Sequence, residues 1–308
     1  MGGAAGRCRE RAVDFFGGGS LLAQTARISG LSKALTDGLA PWRAQHDLGK
    51  SVLDLAVAIV LGGDCLADLA VVRAQPDLSG HVASDPTISR LIATLAADAP
   101  AVLVALRDAR ATARGQIWRL QPPVATDGPS WSIWTPRSCW RTWRRKAQPR
   151  PGSTYGGHPL LAFLDHGTGG MGEPVGGLLR SGKATANDAA DHVTVRTQAL
   201  AQLPAEQRAR VPVRGDSGAG VHGFVQHLPE HGLRYSVGFY AHRSIIDALA
   251  VVPRQAWCAA IDTHGMPRDG AQVAELARYL RPARNPWPPG CASLPDANAR
   301  IRAHMWAA

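Results

Sequence analysis

Residues 160–167 read Leu160-Leu161-Ala162-Phe163-Leu164-Asp165-His166-Gly167, and a second apolar run, Glu173-Pro174-Val175-Gly176-Gly177-Leu178-Leu179, follows a glycine-rich connection. A five-residue apolar run closed by Asp-His-Gly has strand length, and two such runs across a short turn predict a β-hairpin. The connection, Gly167-Thr168-Gly169-Gly170-Met171-Gly172, matches the GxGxxG pattern. A dinucleotide site needs a helix opening at the last glycine, so that backbone N–H groups face a pyrophosphate. Glu173-Pro174 and another strand stand there instead, so the glycines are read as the hairpin turn.

Working outward, Asn187 or Asp188 caps a helix through Val193, Gln198, Leu200 and Leu203. Val211-Pro212-Val213-Arg214-Gly215-Asp216 is a short strand ending in a carboxylate, followed by a helical patch at 219–228, a strand at 235–239 and a helix at 243–250. Hairpin, helix, strand, helix, strand, helix predicts a mixed α/β core over residues 153–280.

Upstream, residues 20–115 read as helical. Val52, Leu55, Ala56, Ile59 and Val60 form an i, i+3, i+4, i+7, i+8 stripe expected on a buried helix face. Gly62-Gly63 ends that helix, and Asp64 is placed to cap the next one, Cys65 to Arg73. Ser84-Asp85-Pro86-Thr87-Ile88-Ser89-Arg90 then supplies an N-cap, a first-turn proline and an apolar run of Leu91, Ile92 and Leu95. A short helix, a glycine-containing turn and a capped helix suit a helix-turn-helix, with Thr87, Ser89 and Arg90 where DNA is read. An ordinary helical bundle with a capped surface helix fits the same residues.

The 308-residue chain is 45 % hydrophobic, enough for a packed core. No stretch approaches about 18 uninterrupted apolar residues, so no membrane span is expected. The N-terminus lacks the apolar segment of a secretory signal, which points to a cytoplasmic protein. Five scattered cysteines without CxxC spacing argue against a disulfide framework or a zinc site. Net charge is +10, and six of the basic residues (Arg137, Arg141, Arg144, Arg145, Lys146, Arg150) fall within residues 129–152, which hold no acid and four of the nine tryptophans. The basic character is local, so it does not by itself make the whole chain a nucleic-acid binder.

Two further patterns carry little. Gly215-Asp216-Ser217-Gly218 matches the nucleophile box of trypsin-like proteases, but that chemistry sits on an all-β fold with a His and an Asp brought in by other loops. His222, His227 and His231 do not read as a zinc set: the gap of five misses a helical face, and Pro229 is expected to break any helix carrying the later pair. Asp216 stands apart. A carboxylate at a strand's C-terminal end, before Ser-Gly and a helix, is where α/β folds place metal-binding acids, although a turn or capping role suits it equally.

Several strings together resemble one family: Tyr155-Gly156-Gly157-His158-Pro159-Leu160, Asp165-His166-Gly167, Gly172-Glu173-Pro174, Leu178-Leu179-Arg180-Ser181-Gly182-Lys183-Ala184, Asn187 to His192, and Arg214-Gly215-Asp216-Ser217-Gly218. In this order they resemble DDE transposases of bacterial insertion sequences, specifically the insertion-sequence thirteen-eighty family. Gly62-Gly63-Asp64-Cys65-Leu66-Ala67-Asp68 and residues 84–91 resemble its N-terminal helical region. The resemblance implies an N-terminal all-helical domain (1–117), a disrupted segment (118–152), a partial, incomplete RNase H-like mixed-sheet core (153–280) and an aberrant tail (281–308). It implies DNA strand cleavage and transfer by two Asp and one Glu holding two Mg²⁺ or Mn²⁺ ions, with the element's terminal repeats as the DNA partner and self-association as a further expectation. The second Asp carries over onto Asp216; Arg180 and Lys183 join Thr87, Ser89 and Arg90 as candidate DNA contacts.

The first Asp should lie in a Val-Asp-Leu-Asp-Ala-type string shortly before Tyr155, where this chain has its Trp/Arg/Pro run. Trp is encoded only by TGG and Thr by ACN, so Trp134-Thr135 read one base earlier contains GAC, an Asp codon. The string Trp131-Ser132-Ile133-Trp134-Thr135-Pro136, shifted in this way, is compatible with Val-Asp-Leu-Asp-Ala. Residues 129–152 are therefore read as a frameshifted window that does not form the core's opening strand, since its basic residues and tryptophans do not alternate, and the sheet is expected to lack a strand there or to hold a poor substitute; a basic DNA-binding insert with stacking tryptophans is the other reading. The pattern stops again after Gly290, and Glu230 and Glu275 do not sit in the motif of the catalytic Glu. The expectation is a degenerate transposase that neither cuts nor joins DNA, with a residual DNA-binding module or a functionless product as the other readings.

Overall fold

The computed structural model describes residues 18–42, 46–120, 132–135, 158–166, 172–181, 184–185, 187–240, 242–262, 264–280, 288, 292–296 and 302–307, with 132–135, 292–296 and 302–307 described by backbone pairing alone. The chain is mixed α/β, with an N-terminal helical region, and divides into two units, Met1–Pro123 and Val124–Ala308. Among the described residues no single helix is long and apolar enough to cross a membrane.

In the first unit, helices α1 (18–28), α2 (Leu31–Leu39), α3 (Leu48–Val60), α4 (Leu69–Arg73), α5 (Pro76–Ser79), α6 (Asp85–Ala96) and α7 (Ala99–Leu120) surround Leu39, Leu69, Val72, Ile88, Leu91 and Val102. Asp47 caps α3: its carboxylate accepts from Lys50 N at 3.1 Å and from the Thr36 hydroxyl at 2.9 Å. The Trp42 indole N–H donates to Asp98 at 3.1 Å. Arg73 ties α4 to the start of α6 through Ala83 O at 2.9 Å and Asp85 at 2.8 Å.

Two expectations for this unit are corrected. Val52 and Leu55 of the expected α3 stripe pack half-buried against the core, but the fully buried side carries Leu48, Gly49, Ser51, Asp54 and Ala58, while Ile59 and Val60 are 61 % and 66 % exposed. The reason lies at Gly49: a Cβ there would strike the backbone of Thr36, so α2 approaches α3 on the glycine side and rotates the apolar stripe partly outward. The polar groups turned inward are satisfied, Ser51 by Asp47 O at 2.9 Å and Asp54 by Lys50 at 2.6 Å. The turn after Gly63 is capped by Asp68 and not by Asp64, with Asp68 accepting from the N–H groups of Asp64 (2.9 Å) and Cys65 (3.0 Å).

In the second unit, strands β1 (Ser132–Thr135), β2 (Leu160–Asp165), β3 (Glu173–Leu178), β4 (Val213–Gly215), β5 (Tyr235–Tyr240), β6 (Cys258–Ile261), β7 (Pro267–Val273), β8 (Ala292–Asp296) and β9 (Arg302–Ala307) form one sheet in the order β3-β2-β1-β4-β5-β9-β8-β7-β6. The hairpin is present: β3 runs antiparallel to β2, and β2 antiparallel to β1. From β1 onward β4 and β5 run parallel; helices α8 (Ala189–Ala201) and α9 (Ala205–Arg208) lead from β3 to β4, α10 (His222–Glu230) connects β4 to β5, and α11 (Arg243–Leu249) follows β5. Along β2 alternate residues Leu160, Ala162 and Leu164 are at most 3 % exposed, the period of a strand burying one face. Gly176 lets β3 meet α8, since a Cβ would stand 2.9 Å from Val195 O. Asp188 caps α8 by accepting from Asp191 N at 3.0 Å.

The structure overturns the expectation that residues 129–152 do not form the core's opening strand. Ser132–Thr135 pair on both sides, with β2 and with β4, at the centre of the α/β arrangement. Ser-Ile-Trp-Thr is rich in β-branched and aromatic residues, and all six basic side chains follow it, so the charge of the segment as a whole misrepresented these four positions. The remainder of the segment lies outside the described residues. The tail contributes strands as well: β9 pairs along β5 from Tyr235 to Tyr240, and β8 pairs with β9, covering an edge that would otherwise be open.

Gly49→Ala is expected to destabilise the helical unit by about 2 kcal/mol, as overpacking against an immovable backbone does. Urea unfolding followed by circular dichroism checks it; an unchanged midpoint would contradict the close approach of α2.

Candidate functional site

Asp216 follows directly on β4, whose last residue, Gly215, pairs with Thr135 of β1 and Val237 of β5. Its side chain is half-buried, and Oδ1 accepts from Gly218 N at 2.9 Å, an Asx-turn that shapes residues 216–220. The turn is pressed onto β5: a Cβ on Gly238 would stand 3.1 Å from Ser217 N, and one on Gly220 would strike Gly238 O and lie 2.9 Å from Phe239 Cα. Two glycines thus let the carboxylate-bearing turn lie flat on the neighbouring strand before α10 begins. This placement agrees with the strand-end position expected for Asp216.

A two-metal site needs a second acid on an adjacent element. The described carboxylates do not supply one. Asp165 pairs with Ser132, at the opposite end of β1 from Thr135, roughly 10 Å away along the strand. It faces Arg214 at 3.9 Å instead. Asp188 is occupied as the α8 cap, and the Glu275 carboxylate accepts from Ala277 N at 2.7 Å. Glu230 is exposed at the far end of α10. Among the described residues, the donor set around Asp216 does not fit a pair of Mg²⁺ or Mn²⁺ ions.

Of the residues expected to meet DNA, Ser89 and Arg90 are exposed on α6. Thr87 is half-buried, and its hydroxyl is hydrogen-bonded to Ser84 Oγ (3.0 Å) and accepts from Arg90 (3.3 Å). Arg180 is corrected. It is 7 % exposed and donates to His158 O (3.1 Å), Thr185 O (2.8 Å) and Asp191 (3.0 Å), so its charge holds the β3–α8 connection to the body of the unit and does not face a ligand. Lys183 lies outside the described residues, as do Gly167 to Met171 of the glycine-rich turn.

The histidines also differ from expectation. Pro229 sits inside the last turn of α10, where it forfeits one intrahelical hydrogen bond without ending the helix before Glu230. His227 and His231 therefore share one side of the helix end, their rings 3.9 Å apart, with Glu230 beside them. Spacing of i, i+3 and i+4 was the signal for this cluster, hidden by the proline. The buried guanidinium of Arg196, on α8, hydrogen-bonds His227 Nε2. Burial first, then Arg196 and His231, hold His227 below the ordinary imidazole range, with Glu230 opposing them. His222 is exposed at the other end of α10.

The chain matches no known family model, and no curated protein is similar to it.

Arg180→Ala removes the charged partner of Asp191 and is expected to cost about 3 kcal/mol, measured by urea unfolding; an unchanged stability would contradict its structural role. A depressed His227 means the folded state prefers neutral imidazole. Its contribution is complete above about pH 6.5 and declines as pH falls below that value. Melting temperatures across that range in metal-free buffer should fall with acid, and His227→Gln should flatten the slope; an equal slope in the variant would contradict the arrangement.

Proposed function

We propose that the chain is a degenerate DDE transposase with an incomplete RNase H-like core, unable to cut or join DNA as it stands. One observation carries the reading: the parallel pairing of β1 with β4 sets Thr135 opposite Gly215, immediately before Asp216. The Asp codon in the shifted frame spans the codons of Trp134 and Thr135. An acid there would stand on the strand beside the one that delivers Asp216, with neighbouring strands about 4.8 Å apart. That is the juxtaposition two-metal strand transfer requires, with one ion activating the attacking oxygen and the other stabilising the leaving one. The hairpin-flanked first strand followed by two parallel strands supports the RNase H-like reading.

With Trp-Thr in place of the acid, Asp216 has no partner carboxylate among the described residues, so no catalytic step is assigned to this chain. DNA binding is a separable property. The exposed Ser89 and Arg90 on a helix whose start is held by the Arg73–Asp85 pair favour a residual DNA-binding module in the helical unit.

Cleavage of terminal-repeat DNA with Mg²⁺ or Mn²⁺ tests the activity, comparing the chain, Asp216→Ala, and a form with the reading frame restored. The expectation is cleavage only by the restored form; Asp216-dependent cleavage by the unrepaired chain would overturn the inactive reading. For the helical unit, a mobility shift that weakens with salt and falls several-fold on Arg90→Ala is expected. No shift at low salt would remove the DNA-binding module and leave a functionless product.

A further inference from the structure

We propose that His227, Glu230 and His231 form a binding site for a borderline transition-metal dication, Zn²⁺ in the first instance, independent of Asp216. The last turn of α10 brings one nitrogen of each imidazole and a Glu230 oxygen within 4.8 Å of one another. Histidines at i and i+4 on one helix face are a zinc-binding spacing, and a carboxylate one residue before the second adds an anionic oxygen to the set. Two nitrogens and one oxygen suit Zn²⁺, Ni²⁺ or Cu²⁺ and suit Mg²⁺ poorly, since Mg²⁺ seeks an oxygen octahedron.

The second shell is already in place for one ligand. His231 Nδ1 lies 2.9 Å from the His227 carbonyl oxygen. A carbonyl only accepts, so Nδ1 carries the proton and Nε2 presents its lone pair outward. The site also sits at a helix C-terminus, where the partial negative charge of the last carbonyls favours a cation.

Arg196 is the competitor. Its guanidinium can only donate, so in the metal-free chain His227 Nε2 accepts from it and Nδ1 is protonated. The cation replaces the guanidinium at Nε2, and the helix end keeps the neutral tautomer it already has. This exchange makes the site of moderate affinity and couples it to α8, the helix that carries Arg196. A second group of donors, Asp64, Cys65 and Asp68, lies in the helical unit, and the test must separate the two.

Isothermal titration of the full chain with ZnCl₂ provides the test, in a Cys65→Ser background that removes the thiolate site. One equivalent of Zn²⁺ is expected to bind, with His231→Ala weakening it at least tenfold and Glu230→Gln several-fold. Asp216→Asn should bind as its parent does, which keeps the result distinct from the transposase reading. Both ligand positions are exposed, so these variants are expected to fold, and circular dichroism verifies it. Absence of binding in the Cys65→Ser chain, or equal affinity in its His231→Ala variant, would overturn the proposal, as would competition by equimolar Mg²⁺.

Discussion

The architecture of the second unit depends on one backbone contact, the three-residue parallel pairing of Ile133, Trp134 and Thr135 with Val213, Arg214 and Gly215. Without it the three strands β3-β2-β1 would be separated from the six strands β4-β5-β9-β8-β7-β6, and the sheet would fall into two pieces. With it, the hairpin joins on one side of β1 and the parallel strands on the other, and Asp216 emerges where the two halves meet. Backbone pairing makes few demands on side-chain identity beyond strand compatibility, so a short Ser-Ile-Trp-Thr string can hold the sheet together.

Around this sheet, charge is used for positioning. Arg180 fastens the β3–α8 connection through two carbonyls and Asp191, and Arg196 reaches across from α8 to α10. Both guanidiniums are buried, and each links a crossover helix to another element of the unit. The charge of the chain thus says little about its partners until each basic residue is located. In the helical unit the same holds for Arg73, whose pair with Asp85 fixes the entry to α6 and leaves Arg90 outward.

What the sequence made legible was local and strongly patterned. The apolar runs at Leu160–Leu164 and Val175–Leu178, the cap at Asp188 and the strand-end carboxylate at Asp216 all fall where hydrophobic periodicity and capping chemistry put them. What it hid was set by long-range contacts or by averaging. The rotation of α3 depends on the backbone of α2 meeting Gly49, which no window along α3 contains. Strand β1 vanished into the mean charge of a 24-residue segment although its own four residues carry none. Pro229 suggested a helix break, yet in a final turn it costs only one hydrogen bond. The structural role of Arg180 was not legible because its partners, His158, Thr185 and Asp191, are brought to it only by the fold.

The proposed function rests on Ser132 to Thr135 having encoded, in another reading frame, an acid facing Asp216. The nucleotide sequence of the gene across codons 131–136 tests this most directly. For the shifted frame to read Val-Asp-Leu-Asp-Ala, Ser132 must be TCG, Ile133 must be ATC or ATT, and Thr135 must be ACG. Those codons, with single-base insertions or deletions flanking the window, are the predicted result. An AGC or AGT codon at Ser132, or a third base other than G at Ser132 or Thr135, would contradict the account.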